Sequence, residues 1–412
     1  MVSVASPLTL RSGTTLQNRI VKAAMEEQLA AGGQQPDERI ERLYRRWGAG
    51  GAGLVITGHV MVDRRALAQP GDVVLDGTSD LVPFRRWASA SGTTPVWMQI
   101  NHPGRVVLRD TGVLALAPSA TRVDLGALSS LYPTPKPMTV ADIDEVIGQF
   151  ATTAVLAQDA GFGGVEIHAA HGYLLSQFLS PLVNRRDDEW GGSLRNRARL
   201  LLRVVDAVHA RVRPGFGIAV KLNSADFQRG GFDIDDAGRV IEWLGDRVDF
   251  VELSGGSVES LATSGHTADD RTLEREAYFL DLAGRLVGRA AVPLMLTGGI
   301  RRGAIAERVL DRGFALAGVA TALAQDPELP RRWLAGDDAE VAPPRSVVRA
   351  KLVRAAAVQA AVTGRLHAIG CGKDSPTRPP ILALVIDRRR RSRQLARYRR
   401  DNATDAGTRV DV

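Results

Sequence analysis

GVEIHAAHGYLLSQFLSPLVNRRDDEWGGS, residues 164–193, is the stretch whose reading decides the fold. It opens on a short run, Val165 to Ile167, apolar apart from Glu166, of the kind a buried parallel strand uses. His168, His171 and Tyr173 follow within six residues, just past the end of that run. Sites of α/β folds gather at the carboxyl ends of strands, so the position matters as much as the residue types. Two imidazoles and a phenol this close can grip an oxygen and supply a proton. A His-x-x-His pair can also be two zinc ligands, but no third ligand stands nearby at ligand spacing; Asp187 and Asp188 read as loop or helix-start residues. A single His on a strand is more often a satisfied core residue, so the cluster gains weight only from what surrounds it.

Outward from this stretch the chain alternates. Short apolar runs lie at 20–24, 53–57, 95–100, 164–167, 217–222, 249–253, 293–297 and 315–320. Between most of them lie segments of helical period, such as Glu38–Trp47 with Ile40, Leu43, Tyr44 and Trp47 on one face. Residues 142–160, 194–212, 235–244, 273–287 and 304–310 follow the same rule, and Gly or Pro marks most boundaries. Eight alternations imply parallel strands joined by right-handed crossovers, which close most simply into an α/β (β/α)8 TIM barrel. An open doubly wound sheet is the alternative, disfavoured because no G-x-G-x-x-G follows the first strand. Residues 6–19 read as an N-terminal hairpin turning at Ser12-Gly13. Two connections are long, 101–140 and 254–270; the first contains Pro118, Pro133, Pro135 and Pro137 and reads as a stiffened lid. The barrel is thus expected over 1–336, a linker over 337–346, an added helix and turn over 347–377, and a basic tail over 378–412.

Composition is that of a soluble globular chain: 412 residues, 44% hydrophobic and 24% charged. Cys371 is the single cysteine, which excludes an internal disulfide and a cysteine-held iron–sulfur or zinc site. No basic start precedes an apolar run and no stretch approaches a membrane span, so the expected location is the cytoplasm. Net charge is +7, yet residues 388–400 hold eight arginines and no acid, so the rest of the chain is near −1. A run of this kind is usually a solvated arm, and nucleic acid or an anionic membrane is a disfavoured partner for it.

These motifs resemble the old yellow enzyme family of FMN-dependent NAD(P)H:flavin oxidoreductases, in its single-domain branch. The matching pieces are LQNRIVKAAM (16–25), GGAGLVITG (50–58), WMQINHPGR (97–105), the opening stretch, VKLNSADF (220–227), VELSGG (251–256), REAYF (275–279), LTGGI (296–300) and DPELPRRW (326–333). The resemblance covers roughly residues 5–336 and implies a barrel with FMN at its carboxyl mouth, passing hydride from a nicotinamide to an activated alkene. It implies that His168 and His171 bond the substrate's carbonyl or nitro oxygen and that Tyr173 protonates its α-carbon. Gln99 then meets the flavin pyrimidine edge, and Lys221 stands near N1 and O2, where a cation favours the reduced ring. Ala23, Ala24, Met25, Glu26 and Gly58 line the flavin, and Gly298, Gly299, Ala320 and Thr321 fall around the phosphate. Arg105 contacts substrate or braces the lid.

Two positions depart from the family pattern. Thr321 stands where an arginine commonly meets the phosphate, with Arg301 or Arg302 as possible substitutes, and Glu26 stands where Thr or Cys is usual. The Glu26 carboxylate could repel the reduced ring, be protonated and donate to flavin O4, or turn away to an arginine of the mouth. A dehydrogenase or demethylase of the same superfamily and a degenerate scaffold with a functional tail are the rival readings. The substrate, the preferred nicotinamide and the oligomeric state are left open. Deleting residues 378–412 is expected to leave FMN content and turnover nearly unchanged.

Overall fold

The computed structural model describes residues 2–260 and 277–408. The latter part of the 254–270 connection, the first two residues of the REAYF motif and the last four residues of the chain lie outside them. Eight parallel strands form the barrel: β1 (Ile20–Lys22), β2 (Leu54–Ile56), β3 (Val96–Asn101), β4 (Gly164–Ala169), β5 (Gly217–Asn223), β6 (Phe250–Ser254), β7 (Leu294–Thr297) and β8 (Leu316–Val319). Each pairs with the next, β8 pairs with β1, and the ring closes as expected of a (β/α)8 barrel. Each strand falls within or at the edge of an apolar run read from the sequence.

Alternation along each strand sorts the core into two shells. Val21, Leu54, Ile56, Trp97, Ala219, Phe250, Met295 and Leu316 fill the barrel's interior. Ile20, Val55, Met98, Val165, Val220 and Leu253 face the helices instead. Leu10 and Leu16, from the N-terminal hairpin of Leu8–Thr9 and Thr15–Leu16, join the interior shell and plug its amino end. Trp97 stacks on Phe250 with centroids 5.4 Å apart. Its ring fits only because the facing residues on β4 and β5 are glycines: a Cβ at Gly164 would lie 2.6 Å from the indole and one at Gly217 2.1 Å from it.

The outer helices are α1 (Glu38–Ala49), α2 (Leu81–Ser89), α3 (Val140–Asp159), α4 (Arg199–Arg211), α5 (Ile234–Leu244), α6 (Leu280–Val287) and α7 (Gly303–Asp311). On α1 the buried face is Ile40, Leu43, Tyr44 and Trp47, as the spacing requires. Two starts show the capping chemistry: Asp37 accepts from Arg39 N–H on α1, and Thr139 and Asp142 close a capping box on α3. The 101–140 connection carries a two-stranded ladder, Leu116–Ala117 with Lys136–Pro137.

The C-terminal segment differs from expectation. The 337–346 linker has no regular secondary structure, α8 (Lys351–Gly370) is the added helix, and the basic tail forms a second long helix, α9 (Pro380–Thr408). It is docked rather than solvated. Tyr398 is 7% exposed and packs with Met61, Leu67, Ala68 and Val74, with Tyr173 against the same cluster. Gln394 Nε2 donates to Gln28 O at 2.7 Å, Arg397 to Ala30 O at 2.5 Å, and Arg391 reaches both oxygens of Asp110 at 2.6 and 2.7 Å. A charge run is a solvated face only when nothing offers it acceptors; here carbonyls and a carboxylate of the barrel rim do. Ile381, Leu382, Val385 and Ile386 still point outward, at 36–48% exposed, so that apolar run does not anchor the helix.

The expectation for the tail is revised accordingly. Tyr398→Ala should cost about 2–4 kcal/mol of stability in denaturant titration, as for other buried large-to-small changes. Arg391→Ala should cost about 1 kcal/mol or less, because its pair is partly exposed. Equal, negligible losses for both would show the helix to be undocked in solution.

Candidate active site

The residues singled out from the sequence converge on the carboxyl ends of the barrel strands. Ala23, Ala24, Met25 and Glu26 follow β1, Gly58 follows β2, Gln99 lies on β3, His168 on β4, Lys221 on β5, and Gly298-Gly299 follow β7. Ala320 follows β8, and Thr321 starts the helix Thr321–Gln325 with its side chain exposed.

The His168 ring lies 5.1 Å from that of His171 and 4.9 Å from that of Tyr173, edge-on to both. His168 Nδ1 accepts from Ala170 N–H at 3.2 Å, which leaves the proton on Nε2. His171 sits at φ 62°, a strained value for a side chain of this size, held by Asn223 Oδ1 on its N–H and by Ser254 Oγ at 2.8 Å from Nε2. Burial, with the charges of Lys221 and His59, pushes both imidazoles well below their usual range, so each is neutral. Burial and the neighbouring Glu26 raise the Tyr173 phenol well above its ordinary value, which keeps it protonated.

A polar layer lies directly below, built by side chains of β3 to β6 that point inward. Gln99 Nε2 donates to Glu166 Oε2 at 2.6 Å, and Lys221 Nζ lies 2.8 Å from Glu252 Oε1. Burial and the neighbouring Glu252 push the Glu166 carboxyl well up, so it keeps its proton. Burial opposes the Lys221 charge, but its close pair with Glu252 outweighs burial and raises the ammonium's pKa. An amide and a fixed cation at the barrel mouth are the donors that a flavin pyrimidine edge requires, so this layer fits FMN. Gly298 and Gly299 have φ of 123° and 73°, the backbone an anion-facing turn needs, with the Tyr278 and Phe279 rings packed against them. The Arg105 guanidinium donates to Thr121 O, Arg122 O and Glu259 Oε2, which ties it to the 101–140 connection. A cavity of about 580 Å³ opens beside Arg105, away from the histidines; volume alone therefore does not locate the site.

Glu26 is neither the protonated donor nor the arginine partner among the forms expected of it. Burial would raise its pKa, but the His59 charge and bonds from His59, Gln28 and Tyr173 outweigh burial and bring it to about 2, so it is not a protonated donor. It pairs with a histidine, not an arginine: Oε1 lies 3.1 Å from His59 Nε2 and accepts from Tyr173 OH at 3.0 Å. His59 Nε2 also lies 3.5 Å from Asp72 Oδ1. Below it, buried Lys22 donates to Ile56 O at 2.7 Å, sits over the Trp47 ring, and lies 3.7 Å from Glu27 Oε1. Glu27 in turn accepts from Tyr44 OH and Gly58 N–H, which fixes the 25–28 segment. Sequence reading missed His59, Asp72, Asn223, Ser254 and Glu252. The one available signal was that His59 follows Gly58 at a strand end. Among the described residues no three ligating side chains gather to hold a metal, and no helix is long and apolar enough to cross a membrane.

The Glu26–His59 pair makes stability depend on pH. Burial would lower the His59 pKa, but Glu26 and Asp72 raise it from 6.5 to about 10. A raised value contributes stability that is complete below 6.5 and fades as pH climbs toward 10. The depressed Glu26 contributes above 4.5 and is lost as pH falls toward 2. The melting-temperature gap between wild type and His59→Asn should therefore narrow between pH 6.5 and 10. Lys22, lowered to about 8 by burial, acts in the opposite sense but cancels in this difference. A constant gap would mean that His59 is neutral in the folded protein.

Comparison with known proteins agrees with this geometry. Residues 3–338 match the profile of the NADH:flavin oxidoreductase / NADH oxidase family. The NADH-dependent flavin oxidoreductase iliE of Hypocrea jecorina is 37% identical over 349 residues, 79% of this chain and 87% of that protein. A 4,4'-dithiodibutanoate disulfide reductase of Rhodococcus erythropolis is 31% identical over 353 residues, 78% of this chain and 86% of that protein. Among solved structures, the old yellow enzyme homologue of Zymomonas mobilis superposes with a TM-score of 0.70 at 24% identity, over 83% of this chain and 94% of that one, a likeness of fold. With its barrel, its flavin-edge donors and its matched span together, the chain belongs to the NADH:flavin oxidoreductase / NADH oxidase family, as an FMN-dependent oxidoreductase that uses a nicotinamide dinucleotide.

Proposed function

We propose that this enzyme uses NAD(P)H to reduce the C=C bond of α,β-unsaturated carbonyl or nitro compounds. The observation that carries the reading is the neutral His168–His171 pair, with the His168 tautomer fixed by Ala170 N–H and a protonated Tyr173 beside it. Bound FMN supplies hydride at the mouth, where Lys221 and Gln99 would hold its pyrimidine edge. The protein's own groups do the rest. His168 Nε2–H and His171 receive the acceptor oxygen and stabilise the negative charge that develops there. Neutral imidazoles suit this task, since they donate without trapping an anionic product. Tyr173 gives its proton to the α-carbon. The reverse, dehydrogenating direction has no feature of its own in the site. The helix α9 engages several of its arginines with the barrel, which argues against a tail that acts on nucleic acid or membrane. A lone, exposed Cys371 accords with a cytoplasmic enzyme.

Tyr173→Phe should keep its FMN and its bleaching by the nicotinamide. Reoxidation by an enone such as cyclohexenone should slow by about 10²–10⁴-fold, the usual worth of a positioned acid. A nitroalkene should suffer less, because a nitronate can leave and take its proton from water. Normal enone turnover by this variant would place the proton donor elsewhere.

A further inference from the structure

Tyr173 can give its proton only once per turnover, and the site must then return one. Its hydroxyl has one acceptor, Glu26 Oε1, at 3.0 Å. The same oxygen lies 3.1 Å from His59 Nε2, so a single carboxylate atom bridges phenol and imidazole. His59 is buried and carries a second carboxylate, Asp72, 3.5 Å from the same nitrogen. That nitrogen has no acceptor in line with its N–H, as expected of a proton aimed between two oxygens. On the other side of the ring, Asn101 Nδ2 lies 3.3 Å from Nδ1 while Asn101 Oδ1 has no partner. Turning that amide over would set the oxygen against an Nδ1–H, the arrangement an imidazolium needs. None of these residues is required to bind the acceptor oxygen, which the His168–His171 pair already receives.

We infer that Glu26 and His59 form a relay that reprotonates Tyr173 after each transfer to substrate, with Asp72 holding the imidazolium in place. The inference rests on the reading that Tyr173 protonates a reduced alkene. The step balances without a redox partner. The Tyr173 O–H bond breaks as the Cα–H bond forms, leaving a phenolate. Glu26 Oε1 takes the proton from His59 Nε2 and passes it to the phenolate, ending as the carboxylate it began as, so that the net exchange is phenolate plus imidazolium to phenol plus imidazole. Bulk water then recharges His59 through Glu26, whose side chain keeps 26% of its surface exposed.

The surroundings favour a charged His59 between turnovers. Glu26 and Asp72 face it directly, Tyr173 stands edge-on at 5.4 Å, and the other two imidazoles at the mouth, His168 and His171, are neutral. From α9, Asp387 adds a further negative field at Glu26, and Arg391 acts on the neighbouring Tyr132. Two carboxylates against one imidazole hold its proton strongly. A phenolate beside Glu26 adds a third negative charge, and that is what draws the proton across.

The test uses the full FMN-loaded protein and His59→Asn, with Glu26→Gln as a second variant in case the first folds poorly. Cyclohexenone reoxidation is followed in a single turnover and in steady state, together with the ultraviolet absorbance of tyrosinate. In wild type no tyrosinate should build up. In His59→Asn, tyrosinate should appear after the first enone turnover and decay slowly, and the steady-state enone rate should fall at least about tenfold below that variant's own single-turnover rate. Loss with a nitroalkene should be several-fold smaller, since its product does not need the phenol. Equal loss with both acceptors, or no tyrosinate in either variant, would make the pair merely structural and overturn the relay. A second arm needs no turnover: nitrogen NMR of labelled histidine at about pH 8 should show His59 doubly protonated in wild type and neutral in Glu26→Gln. A neutral His59 in wild type overturns the relay while leaving alkene reduction intact. Failure of wild type to reduce either acceptor instead defeats the functional reading, and the relay with it.

Discussion

The barrel closes around one large ring. Trp97 on β3 lies under the space that two adjacent strands leave by offering hydrogen where a side chain would stand, at Gly164 and Gly217. That arrangement packs the floor, with Phe250 stacked on the indole and the hairpin's Leu10 and Leu16 beneath. A dry, filled floor is what lets the next layer up be polar. Gln99, Glu166, Lys221 and Glu252 stand one inward step along the same strands, where burial is nearly complete and charge is tolerated only in matched sets. The reactive layer of His168, His171 and Tyr173 follows one step further. Each level's chemistry thus depends on the packing below it.

The relation of buried charges sets the character of the mouth. Lys221 is held cationic by its pair with Glu252 while Glu166 keeps its proton, so the layer carries no uncompensated negative charge at the barrel mouth. Lys22, a few residues before Glu26, is buried with its ammonium on a carbonyl, an indole face and a carboxylate. It ties the loop after β1 to the end of β2, and so holds Met25 to Gln28 at the height of the site. Glu26 in turn is ionised because His59 is charged. Neither group would keep its state alone.

Much of this was legible in the chain. Period-two alternation cannot be seen in a strand buried on both sides, but continuous apolar runs of four to six residues between helical periods were enough to count eight strands. The His168–His171–Tyr173 cluster was legible because its spacing is local, and Lys221 because a lysine inside an apolar strand demands a reason. Arg105 remained ambiguous because its partners, the carbonyls of residues 121 and 122 and Glu259, lie far along the chain. His59 and Asp72 were missed for the same reason: each is unremarked in its own segment, and only the fold brings them to Glu26. The arginine run of α9 was misread because composition describes what a segment offers, not what the surface beneath it can accept.

The docking of α9 ties together parts of the chain that are nearly its whole length apart. Gln394 meets Gln28 across 366 positions and Arg397 meets Ala30 across 367. The barrel's own contacts are mostly between successive strands and helices, and close far shorter loops. Loop-closure entropy rises only slowly with length, so the equilibrium penalty for the clasp is modest. The kinetic penalty is larger, since contacts of high sequence separation form after local ones. The rim around Tyr173 is therefore assembled in two stages: a barrel that can form from neighbouring units, then a strap that arrives from the far end of the sequence. The same order in reverse makes the strap a local opening unit of its own, one that can leave while the eight strands stay closed.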